Sequence, residues 1–282
     1  MVEARALPDD FVQLTTATRY QLRFFRRSYR ALALVILMLV VSVLFLGVDL
    51  YLGKAAVQLG SGDSATFLAA RFGGLFTILI TVVAALLGGD AIATDFGSGT
   101  GYYALVLPVR RAVLLLGRYL GAVLVAVGVT MIYFVFQIGS ALYFFGDLPG
   151  WSTLTAFGLT ILVVLAYVAF AFLLSALFRR PVVSIVVAFL LLILVFTITT
   201  SSLETFGIEP WFMINYGAQA ISQSLVALPH MTSMEVPIGN GMTMTVYSFN
   251  PYVWEGALIL FGYLVASLAI SILIYWRKEL KG

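Results

Sequence analysis

Few residues in this chain are equipped for chemistry, and their spacing assembles no catalytic centre. Cysteine is absent, so neither a disulfide framework nor a thiolate metal site can form. A GxxxxGK[ST] phosphate loop, an HExxH zinc helix and a GxSxG serine elbow are all missing. The tripeptide Asp95-Phe96-Gly97 matches a kinase motif, but the catalytic loop and glycine-rich strand that give it meaning do not accompany it. An intramembrane aspartyl protease needs two facing carboxylates, whereas Asp49 and Asp90 fall near opposite ends of apolar runs. Ion-coupled carriers depend on acids and bases buried in their spans. Here Asp49, Arg71 and Glu255 sit close to one end of theirs, where such groups snorkel or pair locally. No catalytic residue is therefore assigned, and energy for any transport must come from outside this chain.

Soft metal ligands are concentrated in one place. Five of the eight methionines, Met213, Met231, Met234, Met242 and Met244, fall between residues 204 and 252 beside the single histidine, His230. Thioether and imidazole suit Cu(I), which makes His230, Met231 and Met234 the candidates if a metal binds. Flexible apolar filling at a membrane interface accounts for the same methionines, so the expectation is no metal.

The most unusual stretch is DFGSGTGYYALVLPVRR at 95–111, lying between two long apolar runs. Asp90 and Asp95 close the preceding run, the small residues 97–101 permit tight turns, and Gly101 to Leu107 can form a short helix ended by Pro108. Arg110 and Arg111 mark the return to the membrane. A helix lying along the membrane surface that offers acids and tyrosines to a partner can turn the partner's motion into helix tilt. An ordinary loop is the plainer reading of the same residues.

These elements sit in a scaffold that composition identifies. Of 282 residues 62% are hydrophobic and 10% charged, against roughly 25% charged in a soluble domain. Apolar runs near 31–53, 67–89, 112–145, 153–178, 182–203 and 253–276 predict an all-α polytopic membrane protein with six transmembrane helices. The third run exceeds one crossing and must tilt, project from the bilayer or break near Gly139. The first run is read as a retained span, since no small-residue cleavage pattern follows it. Basic residues cluster before the first run, between the second and third, between the fourth and fifth, and after the sixth, with none from Pro181 to Trp276. The positive-inside rule then places both ends in the cytoplasm of a plasma-membrane protein.

Residues 1–30 are expected to form an amphipathic cytoplasmic helix on the inner leaflet. Phe11, Leu14, Thr18, Leu22, Phe25 and Tyr29 recur every three or four positions, and Arg19, Arg23, Arg26, Arg27 and Arg30 form the basic face. Residues 31–282 form the six-span domain, with a cytoplasmic loop at 90–111 and an extracellular excursion at 204–252. Within that excursion, Trp211, Ile214, Ala218, Ile221 and Leu225 keep helical spacing, so short helices should lie at or dip into the outer interface. Gly239-Asn240-Gly241 reads as a hairpin turn.

In its details the 95–111 stretch resembles the signature region of the ABC type-2 transporter permeases. That pattern runs from an acid into Gly-Thr, an aliphatic run, Pro-Val-x-Arg and Gly-Lys. It is met here by Asp95, Gly99, Thr100, Ala104 to Leu107, Pro108, Val109, Arg111, Gly117 and Arg118. Asp95 stands where the family usually has Glu, Arg118 where it often has Lys, and Tyr102 and Tyr103 occupy a variable part. Topology agrees, as does Asn250-Pro251 ahead of the sixth span.

The resemblance implies a permease subunit that is not itself an enzyme and binds no cofactor. ATP and Mg2+ would be bound by two copies of a separate ABC ATPase subunit, docked on Asp95, Gly99, Thr100, Tyr102, Tyr103, Pro108, Arg110 and Arg111 and on the N-terminal helix. A second copy of the permease and membrane lipids are the other implied partners, and no nucleic acid is expected. The runner-up readings are an ABC-coupled mechanical transmitter or assembly factor that moves no substrate, as in copper-site maturation, and a self-contained carrier.

Overall fold

The computed structural model describes residues 9–94, 111–239 and 242–279. Helix α1 (Asp10–Arg26) opens with Asp9 and Asp10 at its positive end. It stops at an elbow, Arg27-Ser28, because Ser28 starts a new helix: its Oγ accepts the Arg30 amide at 3.2 Å and caps α2 (Tyr29–Leu52). Tyr29 and Arg30 therefore belong to the first span and not to the face of the N-terminal helix on which their spacing had placed them.

Gly53, at φ 83°, turns the chain into α3 (Lys54–Ser61), and Gly62, at φ 75°, into α4 (Ser64–Arg71). Asp63 caps α4 by accepting the Thr66 amide at 2.9 Å, and its bonds to Thr66 hold its carboxyl below the usual range. The expected second span is not one helix. It bends by 41° between α4 and α5 (Gly74–Gly88), where Gly73-Gly74 interrupts the ladder. The carbonyls freed near the break find side-chain donors: Tyr133 Oη donates to Arg71 O at 3.0 Å and Ser222 Oγ to Ala69 O at 3.1 Å.

Helix α6 (Arg111–Phe145) is continuous through Gly139. Its 35 residues reach about 50 Å at 1.5 Å each, so it projects well beyond a hydrocarbon core of about 30 Å. Helix α7 (Gly150–Leu177) is the hub, with 61% of its apolar window buried, against 17% for α2. Ala166, Ala169, Ala171 and Ala176 let neighbours approach closely. A Cβ on Gly88 would lie 2.8 Å from Val168 O, which marks the tightest crossing between α5 and α7.

The fifth span combines α8 (Pro181–Leu190), a π-helical segment at Leu191–Val195 and α9 (Phe196–Thr205). Two short helices follow, α10 (Ile214–Ala218) and α11 (Ala220–Leu225). Ile214, Ala218, Ile221 and Leu225 are buried in them, but Trp211 is 66% exposed and precedes the first. Strands β1 (Met231–Gly239) and β2 (Met242–Phe249) pair antiparallel, with Met231 opposite Phe249 and Met234 opposite Val246. Helix α12 (Val253–Glu279) completes the chain. Among the described residues five helices are long and apolar enough to cross a membrane, or six if the bent α4–α5 pair counts as one span. The protein is an all-α polytopic membrane protein carrying one small hairpin.

Candidate functional site

The candidate site lies where α1, the start of α6 and the turn after α5 meet. A stripe on α1, Gln13, Ala17, Gln21 and Phe25, faces α6; Gln13, Gln21 and Phe25 are buried. Phe11, by contrast, is 70% exposed, so the apolar spacing marks a face turned partly away from the protein. The reason is on α6. A Cβ on Gly117 would stand 2.5 Å from Ala17 Cβ and 3.2 Å from Leu14 O, and one on Gly121 2.6 Å from Gln21 Cβ. Two glycines four residues apart open a groove one helix wide, and α1 lies in it. Gly117-x-x-x-Gly121 was the signal in the sequence for this contact.

The turn at 89–94 is anchored from three directions. Asp90, almost wholly buried, pairs with Arg30 at the head of α2. Ser175 Oγ on α7 accepts both the Ile92 and Ala93 amides at 2.9 Å. Arg118 on α6 reaches the Ala91 carbonyl at 3.5 Å. Burial pushes the Asp90 carboxyl up to about 6, with the Arg30 guanidinium opposing that rise. Whatever moves the chain just beyond Thr94 therefore pulls on α2, α6 and α7 together.

Of the residues singled out from sequence, Asp95, Gly99, Thr100, Tyr102, Tyr103, Pro108 and Arg110 lie outside the described residues, and Arg111 opens α6. Arg19, Arg23, Arg26 and Arg27 stand exposed on α1 and its elbow, while Arg30 is drawn off to Asp90. Sequence reasoning missed Gln13, Gln21 and Ser175. A lone serine in a span carries no signal of a capping role.

Two polar constellations lie further along the spans. Asp49 pairs with Arg71, whose guanidinium sits 4.4 Å above the Phe45 ring and 5.0 Å from that of Phe67. These residues line a cavity of about 310 Å3 with Val57 and Leu75. At the π-helical segment, Asn215 Nδ2 donates to Leu192 O at 3.0 Å and Asn215 Oδ1 accepts from Tyr167 Oη at 2.8 Å. The amide thus satisfies a carbonyl exposed by the irregular turn, a common device where a span must flex. Asn250 ties the hairpin's base: its amides donate to His230 O at 2.8 Å and Pro229 O at 2.9 Å. Met231 and Met234 stand 51% and 71% exposed.

Long apolar helices, a helix laid against the end of an over-long span and a thrice-anchored turn define a multi-pass membrane protein. The profile of the ABC-2 family transporter proteins matches residues 18–280. The chain belongs to that family and is a membrane permease component of an ABC transporter, which implies partnership with an ABC ATPase subunit. No curated protein matches it.

Proposed function

We propose that two copies of this chain form the membrane part of an ATP-driven exporter in the plasma membrane, with both termini in the cytoplasm. Two separate ATPase subunits dock on Asp95–Arg111 and on the N-terminal helix. Their closure on ATP pushes the docking stretch, and the anchored turn hands that displacement to the spans, opening a path outward. This chain supplies geometry and no chemistry. The observation that carries the reading is the three-way anchorage of residues 89–94 to α2, α6 and α7, immediately ahead of the docking stretch. A loose loop would absorb a push; a turn held by an ion pair, a shared hydroxyl cap and an arginine transmits it.

The test replaces Asp95 by Lys and Tyr102 and Tyr103 by Ala, then measures ATPase pull-down and coupled transport at matched expression. Truncating buried aromatic anchors at an interface costs about 2 kcal/mol or more each, so association should fall by well over tenfold while membrane yield and dimerisation persist. Undiminished association with undiminished transport refutes the docking role.

A further inference from the structure

We propose that Glu209, His230 and Glu255 form a binding site for one divalent transition-metal cation, with Zn2+ the best fit. The three side chains come from separate elements: the loop between α9 and α10, the residue ahead of β1, and the first turn of α12. One ligand atom from each lies within 4.8 Å of the others, and His230 Nε2 is 3.6 Å from Glu209 Oε2. Zinc bonds of about 2.0–2.2 Å place tetrahedral ligands about 3.3 Å apart, so the histidine and Glu209 nearly have the required separation. Glu255 supplies the third ligand from within the same 4.8 Å.

Each ligand is already oriented by a group outside the cluster. His230 Nδ1 lies 2.9 Å from the Asn250 carbonyl, an acceptor, so Nδ1 carries the proton. That leaves Nε2 as the ring atom facing the Glu209 carboxylate, 3.6 Å away, where a cation taken by its lone pair would sit between them. The ring is held in place by stacking on Tyr252, with centroids 4.8 Å apart. Glu209 Oε1 accepts from Tyr216 Oη at 2.7 Å, leaving Oε2 toward the histidine. Glu255 Oε2 accepts the Tyr252 amide at 3.1 Å, and a carboxylate retains a second oxygen. Outer partners that fix tautomer and rotamer are the usual surroundings of a metal-ligating histidine.

The donor set selects the ion. One imidazole and two carboxylates suit zinc with a fourth position for water, whereas Ca2+ and Mg2+ require six or more oxygens. Cu(I) favours thioethers, and the neighbouring Met231 and Met234 side chains are exposed. Bound here, the ion pins the 206–213 loop and the hairpin to the head of α12.

The measurement is equilibrium dialysis of the full chain, without a histidine tag, against Zn2+, followed by metal analysis and thermal unfolding. With one histidine and no cysteine the chain offers no competing imidazole or thiolate. The expected result is one Zn2+ per chain and a higher unfolding temperature. Both are lost in H230A and in the double variant E209Q/E255Q, whose amides preserve the bonds to Tyr216 and Tyr252, with affinity lowered at least tenfold. Failure of the wild type to retain Zn2+, equal retention by the variants, or tighter binding of Cu(I) than of Zn2+ overturns the assignment.

Discussion

Replacing Gly117 by Ala adds one methyl group where α1 and α6 touch. The new Cβ would stand 2.5 Å from Ala17 Cβ, with Leu14 O at 3.2 Å and Thr18 N at 3.3 Å. Two of those three atoms are backbone, so no rotamer change relieves the clash, and the helices must separate by roughly 1 Å. Overpacking of this kind costs about 1–3 kcal/mol. Helix propensity gives back a little under 1 kcal/mol for Gly to Ala. Gly128, on the same helix, has nothing within 4 Å of its added Cβ, so Gly128→Ala collects only that gain. The two variants should differ by about 2 kcal/mol, or about thirtyfold in the equilibrium for lifting α1 from α6. Hydrogen exchange of the Asp10–Arg26 amides in nanodiscs reads this difference directly. Ala17→Gly on the Gly117→Ala background should recover part of the lost protection, since it removes the closest atom. Equal protection in the Gly117 and Gly128 variants would refute the seam as the anchor of the N-terminal helix.

The Asp90 carboxyl, raised by burial to about 6, binds its proton more tightly when folded than when unfolded, so its contribution to stability is present below about pH 4 and lost as pH rises through 6. Unfolding followed from pH 4 to 7.5 should show that decline in wild type and not in Asp90→Asn. Arg30→Ala should be the more damaging change at pH 7.5, because it strands a buried carboxylate, and should lose most of its penalty at pH 5. Asn215→Leu leaves both Tyr167 Oη and Leu192 O without their partner and should cost about 2–4 kcal/mol in unfolding experiments, against about 1 kcal/mol for Tyr167→Phe. Equal losses in those two variants would mean that the carbonyl at the π-helical segment does not depend on Asn215.

Crossing a membrane leaves a mark in the sequence that tertiary packing cannot erase, because lipid accepts only long apolar helices with their own hydrogen bonds satisfied. The runs around α2, α6, α7 and α12 were legible for that reason; the short buried helices of the excursion showed in their helical spacing, and the family in its motif. What one chain segment does against another was not. Apolar periodicity in the N-terminal helix pointed to Phe11, Phe25 and Tyr29 among others; Phe25 is buried, but the rest of the packed stripe runs through Gln13, Ala17 and Gln21, since at Gly117 and Gly121 the two helices approach too closely for a large side chain between them. The second span reads as continuous because its residues are apolar apart from Arg71. At its 41° bend between α4 and α5, Tyr133 and Ser222 arrive from elsewhere to satisfy the freed carbonyls, partners that no local sequence announces. The same holds for Glu209, His230 and Glu255. Their types are plain in the sequence, but 21 and 25 positions separate them, and only the folding of the excursion back onto α12 brings their ligand atoms together.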